Sequence, residues 1–216
     1  MLTVWTLCWG DKYDPYYVQR LQREVKKNLT IPHRFVCITE QSIEGVATVP
    51  PINGLPGWWG KVNVFVMDTT EQNLFLDLDV VITGNLDALV DEYGGCYFAA
   101  AKNWAQSGHG GVQSSVMLWQ GGTGCHAETI YRNFDPAIAH WPPINTPGVL
   151  WGDQEHCTQL RDEGKLSVTA IDPALIKSYK YHVRPNNHKV PAGAMLIIFH
   201  GKPDPHEITG EDWLKW

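Results

Sequence analysis

Two aspartates near the middle of the chain have the spacing and surroundings of a divalent-metal site. Asp77 and Asp79 end an apolar run and are separated by one residue, so their carboxylates share one face if the strand stays extended. Two carboxylates held this close repel each other and are costly to desolvate unless a cation lies between them. Oxygen ligands favour Mg²⁺ or Mn²⁺ over Zn²⁺. The pair therefore predicts a site for one of these two ions.

The alternative explanation is that the two acids simply begin a turn, since Asp is common where strands end. A turn-forming Asp usually lies in polar sequence. These acids are instead bracketed by core-type residues, namely Phe75, Leu76, Leu78, Val80, Val81 and Ile82. The apolar setting favours the metal site.

The elements that must position the acids alternate between strand and helix, which is the pattern of an α/β sheet. A first strand is predicted over residues 3–9, and Asp14 then caps a helix that has Pro15 at its first position. The next helix is predicted over 61–67, directly before the strand that carries the acids. The other predicted elements are strands over 33–39, 46–49, 96–101, 114–119, 166–171 and 195–199, and helices over 124–134 and 153–163.

The composition is that of one ordinary globular domain over residues 1–216. The hydrophobic share is 44% and the charged share 19%. The net charge of −6 without a basic block argues against a nucleic-acid partner. No apolar stretch approaches the roughly 18 residues of a membrane span. The five scattered cysteines are predicted to be reduced thiols of a cytoplasmic protein.

Ten tryptophans are a high count for this length. Their rings either fill the core or stack on the C–H faces of sugars, and the core is favoured for most of them. The C-terminal residues 211–216 include Trp213 and Trp216 and are a candidate contact for a membrane surface or a protein partner.

In motif and order, most of the chain resembles the GT-A nucleotide-sugar glycosyltransferases, and within them the glycogenin and lipopolysaccharide galactosyltransferase group (family 8). The strongest element is Phe-Leu-Asp-Leu-Asp at 75–79 followed by Gly-Asn-Leu-Asp at 84–87. Lys61 lies one helix ahead of the acids, and the other two motifs are Gly-Asp-Gln at 152–154 and His-Gly-Lys-Pro at 200–203. The resemblance implies the Rossmann-like GT-A fold, a mixed α/β sheet flanked by helices.

The resemblance also implies roles at the metal and the phosphates. Asp77 would contact the ribose and the metal, while Asp79 and His200 would ligate Mn²⁺, which bridges the donor diphosphate. Lys61 and Lys202 would neutralise phosphate or hold donor hydroxyls.

For the sugar and the base, the resemblance implies two further groups. Asp153 and Gln154 would face the transferred sugar and the acceptor. The base would be held by the end of the first strand and the loop after it, that is, by Thr6, Leu7, Cys8, Trp9 and Tyr13.

The implied activity is sugar transfer from a nucleotide-diphosphate donor, expected to be a UDP-sugar, to a hydroxyl of a saccharide or other acceptor. Mn²⁺ (or Mg²⁺) is the implied cofactor, and retention of the anomeric configuration is implied by the family. The chemistry agrees, because negative charge builds on the leaving diphosphate and a divalent cation with a lysine supplies fixed positive charge there. Loops over 106–111 and 135–147 are expected to select the sugar and the acceptor.

Two positions depart from the family pattern. The family places extra residues between the His and the Lys-Pro, whereas Gly201 alone separates His200 from Lys202. Where relatives carry Asn-x-Gly-Val in a strand, this chain has Gln-Ser-Ser-Val at 113–116.

Each motif residue also has an ordinary explanation when taken alone. Lys61 suits a surface lysine at a helix start, Asp153 an N-cap, and His200 a strand-end histidine with a satisfied ring. Only their common order favours the glycosyltransferase.

Three other functions remain open. A sugar-1-phosphate nucleotidyltransferase would need a Gly-rich basic loop after the first strand, and Trp-Gly-Asp-Lys-Tyr at 9–13 is not one. A non-catalytic protein that binds carbohydrate or nucleotide sugar would bind a UDP-sugar in Mn²⁺ without turnover. A zinc hydrolase using His200 and His206 is disfavoured because no His-Glu-x-x-His pattern occurs.

Overall fold

A computed structural model describes residues 1–67, 71–103, 111–122, 124–139 and 150–214. Most of the predicted loops over 106–111 and 135–147 lie outside these residues, as does Trp216.

Ten strands occur in the described part of the chain. They are β1 (Leu2–Leu7), β2 (His33–Ile38), β3 (Ala47–Val49), β4 (Gln72–Leu76), β5 (Val80–Ile82), β6 (Ala99–Lys102), β7 (Val112–Gln120), β8 (Thr169–Ala170), β9 (Ile176–Ser178) and β10 (Leu196–Ile198). The α-helices are α1 (Pro15–Asn28), α2 (Asp87–Tyr93), α3 (Glu128–Arg132) and α4 (Asp153–Asp162). A long 3₁₀ helix spans Gly57–Phe65 and a π-helical turn spans Tyr179–Val183.

Seven strands form a mixed main sheet in the order β3-β2-β1-β4-β7-β6-β8. β1 lies between β2 and β4 and runs parallel to both, and β3 runs parallel to β2. β7 runs antiparallel to both of its neighbours, β4 and β6, and β8 runs parallel to β6, so β7 is the one reversed strand among these seven. β5, β10 and β9 form a separate three-stranded sheet, with β10 in the centre.

Helices cover both faces of the main sheet, and a hydrophobic core fills each layer. One core joins α1 and α2 to one face of β1 and β4, through residues such as Val18, Leu21 and Leu74. The other core joins the 3₁₀ helix, α3 and α4 to the opposite face and contains Trp59 and Trp119, both fully buried. The prediction of a mixed sheet flanked by helices is therefore confirmed.

The start of α1 follows the sequence signals closely. The Asp14 side chain accepts a hydrogen bond of 2.8 Å from the Tyr16 amide, and Pro15 occupies the first helical position. The stripe Val18, Leu21 and Val25 is fully buried. Both the N-cap and the apolar face are local patterns, which explains why the sequence predicts them well.

The acids do not lie on one extended strand, and that expectation was wrong. β4 ends at Leu76, and the Val80 amide donates to the Asp77 carbonyl at 3.2 Å, which closes a turn over the acids. The chain must turn here because it leaves the main sheet and enters the small sheet, where β5 pairs with β10. Asp77 and Asp79 are therefore turn residues between two sheets, separated by the buried Leu78.

Other boundaries shift as well. Gly152, not Asp153, is the N-cap of α4, and Asp153 is its first helical residue. The helix predicted over 61–67 is the 3₁₀ helix and begins four residues earlier, at Gly57. Of the strand predicted over 166–171, only the two residues of β8, Thr169–Ala170, are in a strand.

Three whole-chain expectations can be compared with the described residues. All five cysteines are free thiols. In the part of the chain that the structure describes, no helix combines the length and apolarity that crossing a membrane requires. Near the C-terminus, Trp213 packs on the molecule itself, and its indole donates to the His188 carbonyl at 2.9 Å. The contact predicted for the tail stays a prediction.

Candidate active site

A cavity of about 320 Å³ opens where β1 and β4 end and the small sheet begins. Most of the predicted site residues line it, namely Leu7, Trp9, Tyr13, Lys61, Asp77, Asp79, Asp153, Gln154 and His200. Thr6, Cys8 and Lys202 are not among its lining residues. The topology thus brings residues from five separate parts of the sequence together around one space, as expected at the carboxyl ends of strands.

The turn that carries the acids is fixed by its backbone. The buried guanidinium of Arg20, on α1, donates to the Leu78 carbonyl at 3.0 Å and to the Val80 carbonyl at 2.8 Å. From β7, the Ser115 carbonyl accepts from the Asp77 amide at 2.9 Å. A helix and a strand therefore hold the turn, which leaves the carboxylates free to face the cavity.

Asp79 has the character of a ligand for a cation. Its Oδ2 accepts a hydrogen bond of 3.1 Å from the Tyr13 hydroxyl, while Oδ1 is buried without a hydrogen-bond partner among the described residues. Burial and the neighbouring Asp77 carboxylate raise the pKa of Asp79 above its usual range. An orphaned carboxylate oxygen beside a second carboxylate fits Mg²⁺ or Mn²⁺, which bind oxygen and would relieve this cost.

His200 lies at the same cavity but is engaged on one nitrogen. Its Nε2 shares a hydrogen bond of 2.7 Å with Ser178 Oγ, and its ring stacks on Tyr181. Burial, Lys180 and His182 lower the pKa of His200 to about 4, so the ring is neutral at pH 7, as a metal ligand must be.

The three predicted metal ligands are not gathered into one cluster. Among the described residues, no group of three or more His, Cys, Asp or Glu side chains is close enough together to hold a metal ion. Asp77, Asp79 and His200 share the cavity, and their joint ligation of a metal stays a prediction.

Lys61 is a buried cation between two carboxylates. Its Nζ lies 2.9 Å from Asp77 Oδ1 and 3.4 Å from Asp153 Oδ2, and it donates to Ser114 Oγ at 3.3 Å. Burial opposes its charge, but the carboxylates of Asp153 and Asp77 outweigh this and raise the pKa of Lys61. The ammonium therefore stays charged and ties the acid turn to the start of α4.

The start of α4 is packed closely against the 3₁₀ helix. Gly152 is extended, and a Cβ at this position would lie 2.9 Å from Trp58 Nε1. The close approach needs glycine and sets the position of Asp153, which lines the cavity beside Gln154.

A second cavity of about 310 Å³ adjoins the first at the end of β1 and shares Leu7 and Trp9 with it. Cys8 lines this second cavity, whereas Thr6 lines neither. Tyr13 stands at the first cavity, and burial and Asp79 raise the pKa of its hydroxyl. Of the five residues predicted to hold the base, four therefore line one cavity or the other, although Leu7 and Cys8 also belong to the buried core, and Thr6 is buried away from both cavities.

Several residues at the first cavity were missed by sequence reasoning. Lys12 and the half-exposed Trp151 line it, and the Trp151 ring makes an edge contact with the Trp58 ring at 6.2 Å. Trp151 directly precedes the Gly-Asp-Gln motif, which was a usable signal. A single exposed lysine such as Lys12 carries no pattern that would have marked it.

The two departures from the family pattern have clear structural outcomes. Lys202 is exposed and pairs with Asp204 Oδ2 at 2.6 Å and Glu207 Oε2 at 3.3 Å. At 113–116, the Gln113 side chain donates to Ser115 Oγ at 2.7 Å, and Ser114 supplies a hydroxyl beside Lys61. A phosphate contact by Lys202 stays a prediction.

No protein-family profile matches the chain, and no curated protein matches its sequence. Solved structures do match its fold. Similarity to the glycosyltransferase GlyE from Streptococcus pneumoniae TIGR4 has a TM-score of 0.64 at 14% identity, over 95% of this chain and 56% of that one. The galactosyltransferase LgtC, in complex with donor and acceptor sugar analogs, matches with a TM-score of 0.59 at 12% identity, over 94% of this chain and 88% of LgtC. An active-site mutant of LgtC matches with a TM-score of 0.62 at 14% identity, over 99% of this chain and 91% of the LgtC chain.

These similarities establish the class of fold. The chain has the GT-A-like architecture of glycosyltransferase structures, including the LgtC galactosyltransferase, which confirms the fold that the motifs implied. It spans a little over half the length of GlyE and about nine tenths of LgtC.

Proposed function

We propose that this protein is a glycosyltransferase that moves a sugar from a nucleotide-diphosphate donor to a hydroxyl acceptor. The observation that carries the proposal is the buried Lys61 ammonium, held between the Asp77–Asp79 turn and Asp153 at one cavity. Such an arrangement holds charged side chains in fixed positions at a partly desolvated site, where their interactions with a bound donor and its metal ion would be strong.

The donor is proposed to be a UDP-sugar that spans both cavities. Its base would lie at the end of β1, by Leu7, Cys8 and Trp9, and its diphosphate would lie beside the acid turn. Asp77, Asp79 and the neutral His200 are the residues that would hold Mn²⁺ or Mg²⁺ there. When bound, this ion would neutralise charge on the leaving diphosphate.

Lys61 and the start of α4 are proposed to position the transferred sugar. Lys61 stays charged, so it neither accepts nor gives up a proton at pH 7 and instead orients Asp77 and Asp153. Gln154 and Asp153 line the cavity next to Trp151, whose exposed ring offers a flat apolar surface to a sugar acceptor.

Transfer with retention of the anomeric configuration is part of the proposal. Asp153 lines the cavity at the proposed sugar site, and its ion pair with Lys61 weakens it as an attacking group. This favours a reaction in which the acceptor hydroxyl attacks as the diphosphate departs, without a covalent sugar–enzyme intermediate.

A single catalytic domain over residues 1–216 that works in the cytoplasm completes the proposal. The five free thiols fit a reducing compartment.

A panel of nucleotide sugars tests the activity directly. Each would be incubated with the protein, Mn²⁺ and saccharide acceptors, and release of nucleoside diphosphate would be measured. At least one donor should be turned over, and Asp153→Asn should reduce the rate while the matched surface variant Lys165→Met should not. NMR of the first product anomer would decide retention.

Two results would speak against the proposal. Nucleotide-sugar binding with no release for any donor would favour the non-catalytic binding protein instead. Formation of a nucleotide sugar from a sugar 1-phosphate and a nucleoside triphosphate would favour the nucleotidyltransferase.

A further inference from the structure

We propose that Lys12 and Lys180, rather than Lys202, supply the positive charge that holds the donor diphosphate in this protein. The inference rests on the proposed function, because it concerns the phosphate contacts of the same donor site. It assigns the phosphate contacts to two lysines outside the four motifs that carry the family resemblance.

Lys202 is already neutralised by its own segment. Its ammonium contacts Asp204 and Glu207, and those two residues form the capping box of the 3₁₀ helix Pro205–Glu207. The direct His-Gly-Lys-Pro junction leaves Lys202 in the turn that leads to this helix. A diphosphate would have to compete with two carboxylates for this ammonium.

Lys12 is an exposed lysine at the site. It lines the first cavity, and its Nζ lies 4.5 Å from the centre of the Tyr13 ring, whose hydroxyl binds Asp79. This ammonium is therefore beside the carboxylate that is proposed to hold the metal of a bound diphosphate.

Lys180 approaches from the small sheet. It lies in the π-helical turn after β9, and its Nζ is 3.3 Å from the point where a Cβ on Gly201 would be. Gly201 lines the cavity next to His200 and has a φ of 64°, a conformation that suits glycine. The ammonium of Lys180 therefore lies next to Gly201, at the edge of the cavity.

Both lysines are available to an anion. Within the described ranges, neither forms an ion pair with a carboxylate, in contrast to Lys61 and Lys202. Lys180 is half-buried in the π-helical turn. A partly desolvated ammonium without a carboxylate partner is a favourable contact for phosphate.

Calorimetric titration with UDP and with uridine, both in Mn²⁺, tests the assignment. Lys12→Met and Lys180→Met should each weaken UDP binding about tenfold, as expected for the loss of one charge-assisted contact. Uridine lacks the diphosphate, so its affinity should stay within about twofold in both variants. Lys180→Arg should restore most of the UDP affinity.

Lys202→Met is the discriminating variant, and Lys165→Met is the matched control for removal of an exposed, ion-paired lysine. Both should change UDP affinity less than about twofold. The inference is overturned if Lys202→Met weakens UDP binding while the Lys12 and Lys180 variants match the wild type. Equal loss of uridine and UDP affinity in those variants would also overturn it. A wild-type protein that binds no UDP in Mn²⁺ would overturn this inference and the proposed donor together.

Discussion

Replacement of Lys61 by methionine should destabilise the fold in a pH-dependent manner. The side chain is only 6% exposed, and its ammonium lies 2.9 Å from Asp77 and 3.4 Å from Asp153. Methionine has nearly the same shape and fills the space. The variant therefore removes the charge with little change in packing and leaves the carboxylates facing one another.

The expected loss of stability follows from the two ion pairs of Lys61. At an effective dielectric constant of about 20, the two attractions amount to about 6 and about 5 kcal/mol before desolvation is counted. Desolvation of the lysine and the acids offsets most of this, and breaking a buried pair typically costs about 3–5 kcal/mol. Asp77 remains 26% exposed and can be partly hydrated, so we expect a loss of about 3 kcal/mol at pH 7.

Urea denaturation at pH 7 and pH 5 measures this effect. The folded pKa of Lys61 is raised, so its stabilisation is fully present below its unfolded pKa of roughly 10.4 and is undiminished at pH 7. In the variant the two carboxylates face each other without a cation, and a lower pH favours the neutral form of one member of such a like-charged pair. The stability gap between wild type and variant should therefore narrow at pH 5.

The control is Lys165→Met, which removes an exposed lysine paired with Glu163 at 2.9 Å and should cost less than about 1 kcal/mol. Adding Asp153→Asn to Lys61→Met should recover part of the lost stability, because one unpaired charge disappears. Two results would refute the conclusion that Lys61 is a stabilising buried cation. One is a Lys61→Met variant as stable as the Lys165→Met control, and the other is a stability difference between wild type and Lys61→Met that does not change between pH 7 and pH 5.

Three further variants test separate features of the structure. Asp14→Ala removes the N-cap of α1 and should lower the free energy of unfolding by about 1 kcal/mol in urea titrations; no change would contradict the capping role. Gly152→Ala places a Cβ 2.9 Å from Trp58 and should slow donor turnover by on the order of 100-fold, measured as nucleotide release, and full activity would contradict the close packing. The folded state holds His200 neutral, with its pKa lowered from 6.5 to about 4. Because the unfolded chain takes up this proton more readily, the free energy of unfolding of the wild type should fall by up to about 3 kcal/mol as the pH is lowered from 6.5 to 4. The His200→Asn variant should not show this pH-dependent loss of stability in urea titrations. Identical pH dependence of stability in the wild type and the variant would contradict this prediction.

The parts of the fold that were predicted correctly depend on local patterns. The cap and apolar stripe of α1 lie within one helix, and the apolar runs of β1 and β2 need no distant partner to be recognised. The turn at Asp77 and Asp79 could not be predicted in this way. Val80, Val81 and Ile82 have the composition of a continuing strand, and only the pairing of β5 with the remote β10 shows that the chain changes sheets.

The candidate site residues were predicted from motifs that match in their order along the chain, and their functional roles stay predictions. Lys61, Asp153 and His200 meet at one cavity, although each has an ordinary explanation when considered alone. The sequence did not predict Lys12 and Lys180, because the phosphate contacts proposed for them depend on neighbours that are remote in sequence. The position of the Lys180 ammonium next to Gly201, for example, exists only after the small sheet has formed.

Binding of UDP to the wild type and to Asp79→Asn, each with and without Mn²⁺, tests the central proposal most directly. Asp79 has a buried oxygen without a hydrogen-bond partner in the described part of the chain, so a cation should bind there. Mn²⁺ is expected to tighten UDP binding to the wild type and to have little effect on the variant, whose thermal unfolding should confirm an intact fold. Equal, Mn²⁺-dependent affinity in both proteins would contradict the assignment of these acids as the metal site.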